Sequence, residues 1–151
     1  AEQLQQAALA LDAVQKVLTT TQLVELQKTV DQVYVDPALI EYAVRLVTAT
    51  RQPKDFGLKE LEHYILFGAS PRASINLILT AKALAFVRGR SYVLPPDVLD
   101  MAPDVLRHRV VPSYEALSDN ISSDDLLKRI FERIPIPVVP LHERVEVRAR
   151  V

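Results

Sequence analysis

Apolar positions recur three and four residues apart over most of the chain, the spacing that lines one face of an α-helix. Residues 4–18 carry Leu4, Ala7, Ala8, Leu11, Val14 and Leu18 on such a face. Thr20 and Thr21 can cap a second helix with the stripe Leu23, Leu26, Val30 and Val33. Asp36-Pro37 is a stronger start, because the Asp carboxylate can accept a free amide and Pro suits the first helical position. The stripe that follows is Leu39, Ile40, Ala43, Val44 and Val47, ending near Thr50. Residues 51–56 read as a loop, since Pro53 cannot continue a helix. Residues 58–66 suit a short helix with Leu58, Leu61, Tyr64 and Ile65 inward, stopped by Gly68.

Ser70-Pro71 repeats the start signal, and the strongest helix follows, with Ala73, Leu77, Ile78, Ala81, Leu84, Ala85 and Val87 apolar. So wide an apolar face predicts a central helix, with Gly89 as its left-handed stop. Residues 91–94 read as extended, and Pro95-Pro96 opens a helix through Val98, Leu99 and Met101. Pro103 is expected to interrupt that helix before it resumes at Val105 and Leu106. Ser122 or Ser123 caps a last helix with the stripe Leu126, Leu127, Ile130 and Phe131, which Pro135 stops. The prolines of IPIPVVP demand extended backbone. The final LHERVEVRARV alternates with period two but has no obvious partner strand, so an edge strand, a docked tail or a disordered end is expected. The expected class is all-α, a small helical bundle with an extended C-terminal tail and no internal repeat.

Composition narrows the function classes. The net charge of -1 argues against nucleic acid as the partner. With no cysteine there is no disulfide framework, thiolate metal site or cysteine nucleophile. No apolar run reaches the roughly 18 residues of a membrane span. The N-terminus lacks the basic leader of a signal peptide, and its lack of an initiator Met is expected for a piece of a longer protein or a trimmed end. The 3 glycines, Gly57, Gly68 and Gly89, are scattered among 10 prolines, so no glycine-rich phosphate loop with its Lys and hydroxyl can form. On its own this chain is expected not to hydrolyse ATP.

Few residues have a pattern that carries chemistry. Glu60 and His63 stand three apart, as in helical di-iron sites, but the other ligands of such a site are missing. His142 has no partner, no G-x-S-x-G turn supports a serine nucleophile, and no metal site is expected. Asp124 and Asp125 read as first-turn acids favoured by the helix dipole. Arg107, His108 and Arg109 close a helix, where cations compensate the dipole, although a partner- or phosphate-facing role stays open. Arg88 and Arg90 are expected to be exposed around the Gly89 stop. The run Gly68-Ala69-Ser70-Pro71-Arg72-Ala73-Ser74 stands apart. With Ser70 as cap and Pro71 first, Arg72 places a guanidinium where unpaired amides are already positive. Either an anion such as a polyphosphate lies opposite Arg72, or a nearby Asp or Glu pairs with it; spacing leaves both open.

The ordered runs Phe56-Gly57-Leu58, GASPRAS at 68–74, RGRSYVLPPDV at 88–98, PDVLRHRVV at 103–111, SYEAL at 113–117 and IPIP at 134–137 resemble the C-terminal lid of the MoxR family of AAA+ ATPases. The likeness covers roughly residues 20–137, weakens over the first 18 and stops before the tail. It implies a helical lead-in at 1–18, a lid at 19–137 and an extended tail or edge strand at 138–151. It further implies that Arg72 is the sensor-2 arginine, reaching the γ-phosphate of ATP held with Mg by the same subunit's core domain. Ala69, Ser70, Pro71, Arg72 and Ala73 would line the nucleotide edge. The phosphate loop, magnesium-binding acid, sensor 1 and arginine finger belong to that core, so the fragment itself is expected to bind ATP weakly. Implied partners are the core domain, neighbouring subunits of a hexameric ring and von Willebrand factor A-type proteins in a chaperone-like cytoplasmic role. A stand-alone helical adaptor is the competing reading, and a helix-turn-helix DNA binder is disfavoured by the net charge.

Overall fold

A computed structural model describes residues 15–138, which divide into two compact units at Gln32/Val33. The first described element is helix α1, Thr20–Asp31. Thr19, one residue before the expected caps, closes a capping box. Its hydroxyl accepts from the Gln22 amide at 3.1 Å, while Gln22 Oε1 accepts from the Thr19 amide at 2.9 Å. The cap needs extended backbone, so residues 15–19 are not helical and the helix expected to reach Leu18 does not. The rest of that helix lies outside the described residues, as does the alternating tail from 139 onward. No residue of α1 is buried, and Val33, placed on its stripe by spacing, belongs to the core of the second unit.

In the second unit α2 spans Pro37–Arg51, started by Asp36, whose Oδ1 accepts from the Ala38 amide at 2.9 Å. It buries Leu39, Tyr42, Ala43, Leu46, Val47, Ala49 and Thr50. Ile40 and Val44, expected inward, are 46% exposed, because the bulkier Tyr42 and Leu46 take the inner face. The expected loop after it winds into a 3₁₀ turn, Pro53–Phe56, with Pro53 buried, and a second such turn spans Lys59–Leu61. The helix expected over 58–66 does not form. Leu58 and Leu61 do point inward, but Ile65–Phe67 is strand β1, antiparallel to β2 at Val111–Pro112. The β-branched and aromatic side chains of β1 meet a partner far along the chain, which no local spacing reveals.

Helix α3, Arg72–Val87, is the centre of the unit, packing most extensively on α4 and next on α2. It ends in a Schellman turn: Gly89 sits at φ 73°, with its amide on Phe86 O and the Arg90 amide on Ala85 O, both at 2.9 Å. Residues 91–94 are extended as expected, and Tyr34 and Tyr92 form a parallel bridge that seats buried Val93. Helix α4 runs unbroken over Pro95–Leu106 with Pro103 inside it. The interruption expected there does not occur. Burial of Val98, Ala102, Val105 and Leu106 on both sides of the proline offsets its missing amide, and Pro103 O still accepts from the Arg107 amide. A 3₁₀ turn at Arg107–Arg109, β2, the short α5 at Tyr114–Ser118 and α6 at Ser123–Arg133 complete the unit. Ser122 caps α6 in a box with Asp125, and Leu126, Leu127 and Ile130 enter the core. Six α-helices and two short strands among the described residues make this a helical fold, as the spacing predicted.

Candidate functional site

The approach to α3 is pinned from α2. Thr50, fully buried, donates its hydroxyl to Val47 O at 2.7 Å and accepts the Ala69 amide at 2.9 Å. This pin requires glycine at 68. A Cβ there would lie 2.3 Å from Thr50 O and 2.8 Å from the Arg51 Cα, both immovable backbone. Gly68→Ala is therefore expected to destabilise the chain by about 1–3 kcal/mol, the scale of overpacking a tight site. Thermal unfolding measures this, and an unchanged midpoint would contradict the close approach.

The structure separates the five residues assigned to the nucleotide edge. Ser70, Pro71 and Arg72 are exposed, whereas Ala69 and Ala73 are completely buried and offer no surface to a ligand. Their methyl groups anchor the turn in the core, so only the other three can line an edge. The cap also differs from expectation. Ser70 makes no capping hydrogen bond; Pro71 occupies the cap position in helical conformation, and Arg72 is the first helical residue. The first turn is tied instead by Ser70 O accepting the Ala73 amide at 2.8 Å and Ser74 Oγ donating to Pro71 O at 2.7 Å.

Arg72 makes no ion pair or side-chain hydrogen bond among the described residues. Among the described residues, no Asp or Glu pairs with it. An exposed guanidinium thus stands on the first turn of α3, whose Ala73 and Ser74 amides are bonded to Ser70 O and Pro71 O, just after a loop pinned to α2 through Thr50. Such an arrangement can offer one charged fork to a phosphate. It cannot enclose a triphosphate, since the chain brings no glycine-rich loop to it.

The other candidates are occupied elsewhere. Arg107 pairs with Asp124 at 2.7 Å and Asp104 at 3.2 Å, and Arg109 Nε donates to Val105 O at 3.0 Å. Dipole compensation and these bonds account for both side chains. Asp125 serves the α6 capping box, and the Ser122 hydroxyl that bonds it, followed by the Ser122 amide, lowers its pKa. Glu60 and His63 are exposed, and no group of three metal-binding side chains occurs among the described residues. A shallow groove of about 360 Å³ between α4 and α6 is lined by Pro103, Leu127 and Phe131 among others, and by none of residues 68–74.

Spacing missed a buried ion cluster. Asp97 is fully buried and accepts from Arg90 at 2.6 and 2.7 Å, from Arg88 at 2.8 Å and from the Leu94 amide at 2.8 Å. Arg88 also reaches Asp100 at 2.7 Å. Arg90, expected to be exposed, keeps only 20% of its side-chain surface, because it turns back onto Asp97. Pro95-Pro96 at the first two helical positions was the available signal, since it sets Asp97 third, facing back toward the cap.

The AAA lid domain family matches residues 59–130, which holds the Arg72 turn, the Asp97 cluster and most of α6. Chaperone MoxR1 of Mycobacterium tuberculosis is 44% identical over 124 residues, 82% of this chain and 33% of that protein. The MoxR protein of Methylorubrum extorquens is 32% identical over 108 residues, 68% of this chain and 31% of its own. The solved structure of a candidate ATPase from Cytophaga hutchinsonii superposes with a TM-score of 0.79 at 39% identity, covering 83% of this chain and 38% of that one. This chain belongs to the MoxR-type AAA lid family. It spans about a third of the length of the curated relatives it matches. The MoxR-type lid is thus a helical unit, as its ordered motifs implied. Among the described residues no helix is long and apolar enough to cross a membrane.

Proposed function

We propose that this chain is the sensor-2 lid of a MoxR-type AAA+ ATPase, with the lid proper over residues 19–137. Arg72 reaches the γ-phosphate of ATP bound with Mg in a core domain outside this chain. Ser70 and Pro71 border the same nucleotide edge. The observation that carries the reading is Arg72 itself, a cation exposed on the first turn of α3, unpaired among the described residues and preceded by a turn bonded to buried Thr50. With the terminal phosphate present, attraction to the guanidinium draws the lid onto the core; after hydrolysis that attraction weakens and the lid can swing. In a hexameric ring the swing resets the neighbouring subunit and transmits nucleotide state to clients. The family likeness supports a chaperone-like, cytoplasmic role with von Willebrand factor A-type partners. Nucleic acid is not among the partners proposed, consistent with a net charge of -1.

ATP turnover by the full-length protein carrying Arg72→Ala tests the reading. The isolated chain should show no ATPase activity and only weak nucleotide affinity, because one arginine supplies too few contacts. Isothermal titration with Mg-ATP checks this, and tight binding to the chain alone would contradict it.

A further inference from the structure

The two-stranded sheet of the second unit is apolar yet uncovered among the described residues. Leu66, Phe67 and Val111 lie on its strands, and Tyr114 and Leu117 on the helix that leaves it, all between 43% and 86% exposed. Tyr114 and Leu117 stand three apart on α5 and share a face. α5 is fastened beside β1, since Tyr64 O accepts the Ser113 amide at 2.9 Å and the Tyr64 hydroxyl donates to Asp119 at 2.8 Å. The sheet order is β1–β2, so each strand keeps an outer edge that no described strand pairs. A two-stranded ribbon is marginal in water and is ordinarily completed by a further strand or a covering face.

One segment of the chain has the matching pattern. From Leu141 to Val151 the odd positions are apolar except Glu143, and the even positions are polar, the period of a strand with one apolar face. We propose that residues 141–151 add a third strand to the β1–β2 sheet of the same molecule and lay their valines over Phe67 and its exposed neighbours. The segment begins within reach. Arg133 Nε donates to Phe56 O at 2.9 Å and Ile134 is buried, so the chain leaves α6 beside the first of the two turns that lead to β1. Residues 135–140 can then cover up to about 20 Å. So short a tether gives an effective concentration of about millimolar, and a contact too weak to join separate molecules is populated within one. Charge agrees, because Glu115 and Asp119 stand on α5 and its C-cap with no cation, while Arg148 and Arg150 follow the last acid of the segment, Glu146. The groove between α4 and α6 is the rival seat, but its walls are helices and offer no strand edge, which is what supplies main-chain bonds in strand addition. β1 runs directly into Gly68, so a strand seated on it braces the approach to α3.

Amide hydrogen exchange of the 151-residue chain, followed by NMR, tests the seat. Amides within 144–150 should exchange about tenfold or more slower than an unstructured chain, which corresponds to a seated fraction above about nine-tenths. The protection should be the same at every chain concentration, with nuclear Overhauser contacts from the segment's valine methyls to Leu66 or Phe67. Phe67→Asp leaves the core intact, since Phe67 is exposed, and Val147→Asp leaves the sheet itself unaltered. Each should return the segment to unprotected exchange, whereas Ile75→Asp, exposed on α3, should not. Exchange at the unstructured rate throughout 144–150 overturns the proposal, and so do contacts to the α4–α6 groove instead of the sheet. Protection that survives both Phe67→Asp and Val147→Asp overturns it as well. Protection that grows with chain concentration places the segment on a second copy and overturns it too.

Discussion

Arg72→Ala in the full-length protein is expected to lower ATP turnover about ten- to a thousandfold, the range for removing one preorganised donor from a developing charge. The prediction follows from where the residue sits. A cation at a helix start is unfavourable to the helix by about 0.3–1 kcal/mol, and no carboxylate among the described residues relieves it. Removing it should leave folding unchanged or slightly improved, so lost turnover cannot be assigned to lost structure. If the guanidinium acts mainly on the transition state, kcat and kcat/KM fall together; a rise in KM alone would mean that Arg72 only helps to hold ATP. Arg72→Lys should recover part of the loss, since lysine keeps the charge but not the planar fork. Turnover equal to that of the unsubstituted protein would remove the sensor role.

The features that could be read from the chain are those in which neighbouring residues decide the outcome. Asp36-Pro37, Gly89 and Ser122 with Asp125 mark helix ends through bonds to amides or carbonyls a few residues away, and each sits where it was expected. What could not be read depends on distant partners. Ile65–Phe67 looks helical until it meets Val111–Pro112, and Ile40 with Val44 looks inward until Tyr42 and Leu46 claim the core. The site divides the same way. The placement of Arg72 on a helix start is local and was legible, whereas its lack of an ion pair among the described residues depends on how distant segments come together. The role proposed for it rests on the family likeness, because one arginine's position cannot by itself name a ligand.

The second large effect is expected at Asp97. Asp97→Ala should destabilise the chain by about 3–5 kcal/mol, the cost of breaking a buried ion pair from one side. Arg90, with 20% of its side-chain surface left, would lose its counter-charge, and the Leu94 amide would lose its acceptor. The joint between the end of α3 and the start of α4 rests on these bonds, so the loss should appear as a cooperative shift in urea unfolding. Asp97→Asn keeps one acceptor and should cost less. The pH dependence has a definite direction. Burial alone would raise the Asp97 carboxyl, but hydrogen bonds from Arg90, the Leu94 amide and Arg88 together hold it below the ordinary value of 3.8. A carboxyl whose folded pKa is depressed stabilises fully above its unfolded pKa, and that contribution is lost as pH falls through the folded value. The arginines stay protonated throughout, so stability should be intact at neutral pH and decline below about pH 4. Asp97→Asn should flatten this decline, since it removes the titrating group. Acid unfolding curves with the same slope for both proteins would show that the cluster does not couple folding to protonation.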